Sequence, residues 1–329
     1  MSRRATALAA AVLSGAGVWL VWWFFVTTAA GQEVDEIAFE GSRIGRWRLM
    51  DSARDLLDVV SVPFLMVVVL VGMVVAGLRR QWWLAVAVVV VVAASNVTTQ
   101  VLKNTLERPD MNLSEATVNS LPSGHATVAG SVAAVAILVT APRWRWVTAL
   151  LGATYAGATG VSTMVGGWHR ASDVVAAILV VGAWTFLTLA VLGPAATPLE
   201  LGPARRARLA AVGSAAPASD ADGAGTADTA GTAAGGAEPH LSRDGFVEAD
   251  EESAPAALRA TRTTEHLFGG AALFALLLAL LSVLVTNWLG GDSRTELVVA
   301  YAGAAVGVGA VTALTFLAVL RLSTPRVWH

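Results

Sequence analysis

Long apolar stretches separated by short polar connections make up most of the chain. Several of them run for about 18 residues or more with almost no charge, which is long enough for a helix to cross a hydrocarbon core of roughly 30 Å. The pattern predicts an all-α fold, a polytopic membrane helical bundle. Eight spans are predicted, over residues 6–29, 57–78, 82–102, 124–141, 146–165, 173–194, 266–288 and 296–320.

Two N-terminal segments each allow two interpretations. The first span could be a secretory signal, because Thr28-Ala29-Ala30 resembles a small-residue cleavage site. Its apolar region exceeds the usual length of about 7 to 15 residues, which favours a retained helix. The stretch from Glu33 to Asp58 mixes acidic side chains with arginines. It suits a helix lying at the membrane interface, and equally a solvated loop.

Composition supports a membrane protein and excludes other classes. Hydrophobic residues make up 55% of the chain and charged residues 14%, against a charged share of roughly 25% in ordinary soluble domains. A net charge of -2 without a basic cluster argues against a nucleic-acid partner. The chain has no cysteine, so disulfides and thiolate chemistry are excluded.

Arginines beside the spans predict the orientation, since cytoplasmic loops carry an excess of Lys and Arg. With the N-terminus inside, the short basic connections all fall on the cytoplasmic side. They carry Arg3, Arg4, Arg79, Arg80, Arg143, Arg145, Arg205, Arg206, Arg208 and Arg321. Both termini are then cytoplasmic, and residues 30–56, 103–123 and 166–172 are extracytoplasmic. We expect a multi-pass protein of the plasma membrane.

A polar stretch of low complexity divides the chain. Residues 196–262 hold almost no large apolar side chain, so burial could not offset the entropy of ordering them. This predicts a disordered cytoplasmic linker between a six-helix core at 1–195 and a two-helix hairpin at 263–329. Gly303 and Gly307 give that hairpin a small-residue face, which favours ordinary helix packing; a homodimer through the spans is a candidate assembly.

Polar residues near membrane depth are costly and mark functional sites. Here they form three clusters on the predicted outer side, at residues 103–109, 122–125 and 168–173. All three precede or follow a predicted span directly. We therefore expect the chemistry of the protein to lie at this end of the bundle.

The second cluster predicts an anion site. Ser123 can cap the helix that follows, and the free N–H groups of its first turn attract an anion. Gly124 lets a bound group approach the backbone. His125 would then stand where it can pass a proton to a leaving oxygen. Alternatively, Pro122-Ser123-Gly124 simply starts a helix.

In the third cluster, His169 and Asp173 share one helical face because they lie four positions apart. A carboxylate that holds one imidazole nitrogen frees the other nitrogen as a nucleophile or base. The same spacing also occurs in structural hydrogen bonds. A metal site is less favoured, because only two histidines and few acidic residues lie on this side of the predicted topology.

The first cluster supplies cations. Lys103, the only lysine of the chain, and Arg108 could neutralise phosphate oxygens, Arg through paired hydrogen bonds and Lys as a mobile charge. Singly, each could be an ordinary flanking charge at a helix end. Their position on the same side as both histidines favours a shared anion site.

Taken in order, the clusters resemble the signature of the type 2 phosphatidic acid phosphatase superfamily, which includes lipid phosphate phosphatases, undecaprenyl-diphosphate phosphatases and vanadium haloperoxidases. The likeness covers about residues 57–195. Pro122-Ser123-Gly124-His125 matches its second motif, and His169 with Asp173 matches the end of its third.

The resemblance implies an integral membrane hydrolase that removes phosphate from a lipid phosphate or polyprenyl diphosphate without a metal or other cofactor. It implies that His169 is the nucleophile that forms a phosphohistidine, that Asp173 orients it, and that His125 is the general acid. The residues implied to hold the phosphate are Lys103, Arg108, Ser123 and Gly124.

Two positions depart from the family pattern. The family has six residues between the lysine and Arg-Pro, whereas four separate Lys103 from Arg108, and the strict arginine position is Asp110. Thr163 stands where the third motif has arginine. One cationic phosphate ligand is therefore missing, and we hypothesise that Arg170 partly replaces it.

Two other functions remain open from the sequence. A phosphotransferase would use the same residues and pass the phosphoryl group to a lipid or sugar acceptor instead of water. A non-catalytic protein that binds or transports lipids could keep the same bundle, but it would have no need of a nucleophile and a general acid together.

Overall fold

The computed structural model describes residues 2–113, 118–193, 256–289, 291 and 293–324. It forms two units, residues 1–195 with 265–329, and residues 196–264. The described residues contain ten α-helices and no strand, so the predicted all-α class is confirmed. The helices are α1 (Arg3–Thr27), α2 (Ala29–Arg43), α3 (Arg46–Val59), α4 (Val62–Leu78), α5 (Trp82–Thr105), α6 (Gly124–Val139), α7 (Arg145–Val165), α8 (Ala171–Leu192), α9 (Ala256–Leu289) and α10 (Arg294–Ser323).

A helix occupies each of the eight predicted spans. Five helices within the described ranges are long and apolar enough to cross a membrane alone, namely α1, α5, α8, the apolar part of α9, and α10. A sixth span is formed if α3 and α4, which meet at a bend of 47°, are taken together. α6 has 16 residues, fewer than the roughly 20 that a span needs. The helices indicate a multi-pass membrane protein.

The stretch between the first two predicted spans is helical, as one of its two interpretations predicted. α2 begins where the Thr28 hydroxyl accepts the N–H of Gly31 at 3.1 Å. Gly31 allows the sharp turn from α1, because a Cβ here would overlap the carbonyl oxygen of Phe24. α2 packs against α1 and α10, and α3 packs against α7.

The last helix is built into the main unit. α10 packs against α2, α7 and α8. Its Val308 is buried in one apolar cluster with Ala126, Met164, Val174 and Ala177, which come from α6, α7 and α8. Two of its members, Ala126 and Val174, lie in the first turns of α6 and α8. α10 therefore supports the region that holds the polar clusters.

The glycine face of α10 is occupied within the chain. A Cβ on Gly303 would overlap the side chain of Ser282, and one on Gly307 would lie 3.0 Å from the Cβ of Ala279. Both neighbours belong to α9. Close helix packing is therefore the role of these glycines that the structure shows.

Basic residues tie helix ends together at the end of the bundle opposite the polar clusters. Arg3 of α1 donates to the carbonyl of Arg321 at 3.3 Å. Arg145 is fully buried and donates to the carbonyls of Thr140 at 2.9 Å and Ser323 at 2.5 Å. The start of α1, the start of α7 and the end of α10 thus meet at one end.

Most of the predicted linker lies outside the described residues. The structure does not describe residues 194–255, and α9 begins at Ala256, before the predicted span at 266–288. The arginines predicted inside at 205, 206 and 208 fall in the same undescribed range.

Candidate functional site

The three polar clusters meet at one end of the main unit. Lys103 lies in the last turn of α5, Ser123 caps α6, and Arg170 precedes α8. The backbone N–H of Ser123 donates to the backbone carbonyl of Asp173 at 2.9 Å, which fastens the start of α6 to the start of α8. Because α5 and α6 run in opposite directions, the end of one and the start of the other share this site.

The start of α6 is a capped helix terminus with room beside it. Ser123 is fully buried, and its hydroxyl accepts the N–H of Ala126 at 3.4 Å. The N–H groups of Gly124 and His125 belong to the first turn, which has no carbonyl partner within the helix. A Cβ on Gly124 would meet no atom within 4 Å. Backbone donors, positive helix dipole and open space thus coincide where an oxyanion could bind.

His169 and Asp173 form the predicted pair. The His169 Nδ1 lies 3.1 Å from the Asp173 Oδ2, and both side chains are buried. The same oxygen accepts the backbone N–H of Arg170 at 3.0 Å. A carboxylate held in this way places the imidazole proton on Nδ1, so the lone pair of Nε2 is available as a nucleophile.

The backbone of His169 is held as well. Its N–H donates to the carbonyl of Thr163 at 3.3 Å, and the N–H of Trp168 donates to the same oxygen at 3.0 Å. The turn between α7 and α8 therefore presents His169 from two fixed points, its backbone and its ring.

His125 shares the site with His169. Its ring centroid lies 5.4 Å from that of Trp168, the neighbour of His169 in the chain. His169 and Lys103 both lie close enough to the His125 imidazole to interact with it electrostatically. A candidate general acid, a candidate nucleophile and a cation are therefore brought to one place.

Arg108 is a candidate phosphate ligand, because one of its buried donor atoms has no acceptor in the described part of the chain. Its residue is 8% exposed, and its Nη2 is buried with no hydrogen-bond partner in the described part of the chain. Burial, followed by the positive charge of Arg170, lowers the pKa of Arg108, but an arginine remains protonated at physiological pH. Since an unpaired buried donor is costly, a bound phosphate oxygen would supply the acceptor that this nitrogen lacks.

Arg170 forms an ion pair with Glu36, a partner that the sequence did not predict. Its Nε and Nη2 donate to the Glu36 Oε2 of α2 at 3.0 Å and 2.5 Å. Its guanidinium also lies 5.2 Å from the ring centroid of Phe39. The positive charge of Arg170 also acts on Arg108.

The two departures from the family pattern are accommodated locally. Asp110 is exposed, and its Oδ1 accepts the N–H of Asn112 at 2.9 Å in a tight turn. Thr163 is buried, and its hydroxyl donates to the carbonyl of Gly160 at 2.6 Å. Thr163 therefore serves the backbone of α7, and the charge that an arginine would bring is absent at this position.

Asp35 was missed as a site residue. It lies on α2, is 2% exposed, and accepts from the Ser172 hydroxyl at 2.5 Å and from the Ser172 N–H at 3.3 Å. Burial and the nearby charge of Asp173 raise the pKa of Asp35 to about 7, against the opposing effects of Ser172 and Arg170. The only sequence signal for a role of Asp35 was its place in the mixed-charge stretch from Glu33 to Asp58. That stretch was interpreted as an interfacial helix or a solvated loop, and neither interpretation placed it in the site.

A further tie from α2 reaches the first cluster. The Gln32 amide donates to the carbonyl of Pro109 at 2.9 Å and to that of Val26 at 2.7 Å. α2 therefore contacts the turn after Arg108 as well as the start of α8.

In the described ranges, no group of three or more His, Asp or Glu side chains is arranged to hold a metal ion.

Comparison with known proteins gives one match. The family model of the PAP2 superfamily matches residues 84–195, which run from Leu84 in α5 to just beyond the end of α8 and include all three polar clusters. No curated protein and no solved structure matches the chain.

Proposed function

We propose that the protein is a metal-independent phosphatase of lipid-linked substrates, because residues 84–195 match the family model of the PAP2 superfamily, whose members are generally phosphatases. Its substrate is a lipid phosphate or a polyprenyl diphosphate, and its reaction passes through a phosphohistidine at His169. The observation that carries the proposal is the bond from Ser123 to Asp173, which places an anion-binding helix start beside an oriented histidine.

In the first step, the lone pair of the His169 Nε2 attacks phosphorus. The bond between phosphorus and the leaving oxygen breaks, and protonated His125 gives its proton to that oxygen. The dephosphorylated alcohol, or the lipid monophosphate if the substrate is a diphosphate, leaves. Asp173 holds the proton on Nδ1 and stabilises the positive charge that develops on the imidazole.

In the second step, water attacks the phosphohistidine. Neutral His125 accepts a proton from this water, the bond between nitrogen and phosphorus breaks, and inorganic phosphate leaves. Both histidines return to their starting states. The same residue thus acts as acid and then as base.

Fixed positive groups stabilise the phosphoryl oxygens in both steps. Lys103, Arg108 and the first-turn N–H groups of α6 supply this charge from the protein itself. Preorganised donors of this kind act without a divalent ion. We therefore expect the activity to persist in the presence of a chelator and to be inhibited by vanadate, which mimics the five-coordinate geometry at phosphorus.

The position of the site supports the proposal of a lipid-linked substrate. The residues proposed to react lie at the ends of apolar helices, where a headgroup presented from the bilayer would reach them. We propose that this end faces the extracytoplasmic side of the plasma membrane, because the short connections with Arg79 and Arg80 and with Arg143 and Arg145 lie at the opposite end.

The test is an assay of phosphate release by the full chain purified in detergent. Substrates are phosphatidate, a polyprenyl diphosphate and soluble p-nitrophenyl phosphate, each with and without EDTA and with and without an alcohol acceptor. We expect the wild type to release phosphate from a lipid substrate, His169→Ala to release none, and replacement of His240, outside the matched segment, to have no effect.

Three outcomes would contradict the proposal. Equal activity of wild type and His169→Ala would show that His169 is not the nucleophile. Transfer to the acceptor without free phosphate would favour the phosphotransferase. Binding of a lipid phosphate without turnover would favour the non-catalytic alternative.

A further inference from the structure

The α2–α3 segment lies outside the matched residues 84–195. It nevertheless forms hydrogen bonds and an ion pair with the turn that carries His169. Four side chains of the segment bond to this turn or to the residues beside it. They are Asp35 with Ser172, Glu36 with Arg170, the Ser42 hydroxyl with the carbonyl of Met164 at 3.0 Å, and Arg46 with the carbonyl of Gly166.

Asp35 is the most deeply buried acid of this segment. A carboxylate out of water is costly unless its oxygens are hydrogen-bonded, so its position needs a specific partner. Ser172 provides that partner through both its hydroxyl, at 2.5 Å, and its backbone N–H, at 3.3 Å. One oxygen of Asp35 thus serves the side chain of Ser172, and the other serves its backbone.

Asp35 bonds to Ser172, and the next residue in the chain, Asp173, bonds to the proposed nucleophile His169. Ser172 lies in the first turn of α8, where N–H groups have no partner within the helix. The next residue is Asp173, whose Oδ2 bonds the His169 ring and the Arg170 N–H. Two carboxylates from different helices therefore hold one helical turn, and the second of them orients the imidazole.

We propose that Asp35 is a positioning residue for the reaction, which holds the first turn of α8 through Ser172 and thereby fixes the direction in which Asp173 presents His169. This inference rests on the proposed phosphatase function. Asp35 touches neither phosphate nor the reacting nitrogen. Its loss should slow the attack on phosphorus and leave the binding of the phosphoryl group nearly unchanged.

The test compares Asp35→Ala, Ser172→Ala and the double variant with the wild type. We expect each single substitution to lower kcat about ten- to a hundredfold, because small misplacements of a reacting group have effects of this size. KM and the inhibition constant of inorganic phosphate should stay within about twofold, since the phosphate-binding groups are retained. Glu33→Ala, an exposed acid on the same helix, should behave like the wild type.

The double variant distinguishes positioning from general damage. If Asp35 acts through Ser172, removing both should cost no more than removing one, because residues in one network are not additive. Asp35→Asn, which keeps an acceptor oxygen, should recover most of the lost kcat. Should Asp35→Ala fail to fold, Asp35→Asn and Ser172→Ala carry the comparison of kcat with inhibition by inorganic phosphate.

Several results would overturn the inference. These are an unchanged kcat in Asp35→Ala, a loss that falls on the binding of inorganic phosphate instead of kcat, or losses that multiply in the double variant. An active wild type, an inactive His169→Ala and a fully active Asp35→Ala would refute only the role of Asp35. A wild type that releases no phosphate from any substrate would contradict the proposed function, and this inference with it.

Discussion

The backbone N–H of Ser123 donates to the backbone carbonyl of Asp173, across two helices that are far apart in the chain. Ser123 caps the helix whose first turn would bind phosphate, and Asp173 orients the histidine that would attack it. The bond therefore sets the distance between the phosphate donors and the nucleophile. No side-chain substitution removes this bond directly, because both of its atoms belong to the backbone.

Asp173→Asn should lower kcat by about a hundredfold or more. The amide keeps the shape of the carboxylate but neither its charge nor its preference for the Nδ1–H tautomer of His169. Phosphate-release kinetics measure the effect. The matched control is Asp110→Asn, an exposed acid in the same family segment, which should retain the wild-type rate. An Asp173→Asn protein with the wild-type kcat would refute this role.

Arg108→Gln should weaken vanadate inhibition about ten- to a hundredfold. A change of this size corresponds to the loss of a hydrogen bond to a charged group, about 1.5–3 kcal/mol. The inhibition constant, measured against a fixed lipid substrate, reports the change. Arg54→Gln removes an exposed arginine of α3 and should leave that constant unchanged. Equal effects of the two substitutions would indicate a general loss of positive charge and not a phosphate ligand.

Substitutions of Arg170 and Glu36 should affect vanadate binding differently if Arg170 partly replaces the missing cation. Arg170→Ala removes positive charge beside Arg108 and should weaken vanadate binding. Glu36→Gln removes the negative partner of Arg170 and should leave that binding equal or tighter. Glu40→Gln, exposed on the same helix, serves as the control. Unchanged activity in Arg170→Ala would show that the hypothesis is wrong.

Asp35 should make the protein less stable as pH rises from about 4 to about 7. Burial and the charge of Asp173 raise the pKa of Asp35 from 3.8 to about 7. Between these values the folded protein keeps a proton that the unfolded chain releases, so the free energy of unfolding falls with rising pH. Below the lower value the contribution is fully present, and above the upper value it is lost.

Thermal unfolding in detergent between pH 4 and pH 8 measures this contribution. Asp35→Asn cannot titrate, so its midpoint should fall less than that of the wild type across the window. Glu33→Gln should keep the wild-type slope. Identical slopes in all three proteins would mean that Asp35 titrates normally.

Gly41→Ala should lower the thermal midpoint and the activity together. A Cβ at this position would overlap the carbonyl oxygen of Leu297 and lie 2.9 Å from the Cβ of Tyr301, so α2 could not keep its place on α10. Displacing α2 would also disturb Asp35 and Glu36. Gly15→Ala, where no atom lies within 4 Å, should be neutral or gain up to about 1 kcal/mol from helix propensity. A midpoint that is equal in both variants would contradict this packing.

Local signals in the sequence predicted most of the helices and the residue types of the site. Apolar runs bounded by polar residues predicted the helices from α4 to α8, because each run is long enough to form its own hydrogen bonds. Ser123 before Gly124 predicted the start of α6, and the four-residue spacing of His169 and Asp173 predicted their contact. Each of these signals lies within a few residues of the chain.

The contribution of α2 could not be predicted in this way. Asp35 and Glu36 read as part of an amphipathic stretch, because nothing near them in the chain indicates that Ser172 and Arg170 will be their partners. The role of α10 was equally hidden, since an apolar face does not specify the helix against which it packs. Such pairings depend on long-range packing.

By itself, the sequence determined a helical membrane protein and the chemical groups available at the ends of its helices. Hydrophobic length, helix capping and helical spacing are properties of neighbouring residues, and they can be read along the chain. Only the tertiary structure decided that Ser123 bonds to Asp173 and that Asp35 bonds to Ser172. It also decided that Val308 packs against residues in the first turns of α6 and α8. Those contacts join distant segments, and their energies depend on the burial and charge that folding creates.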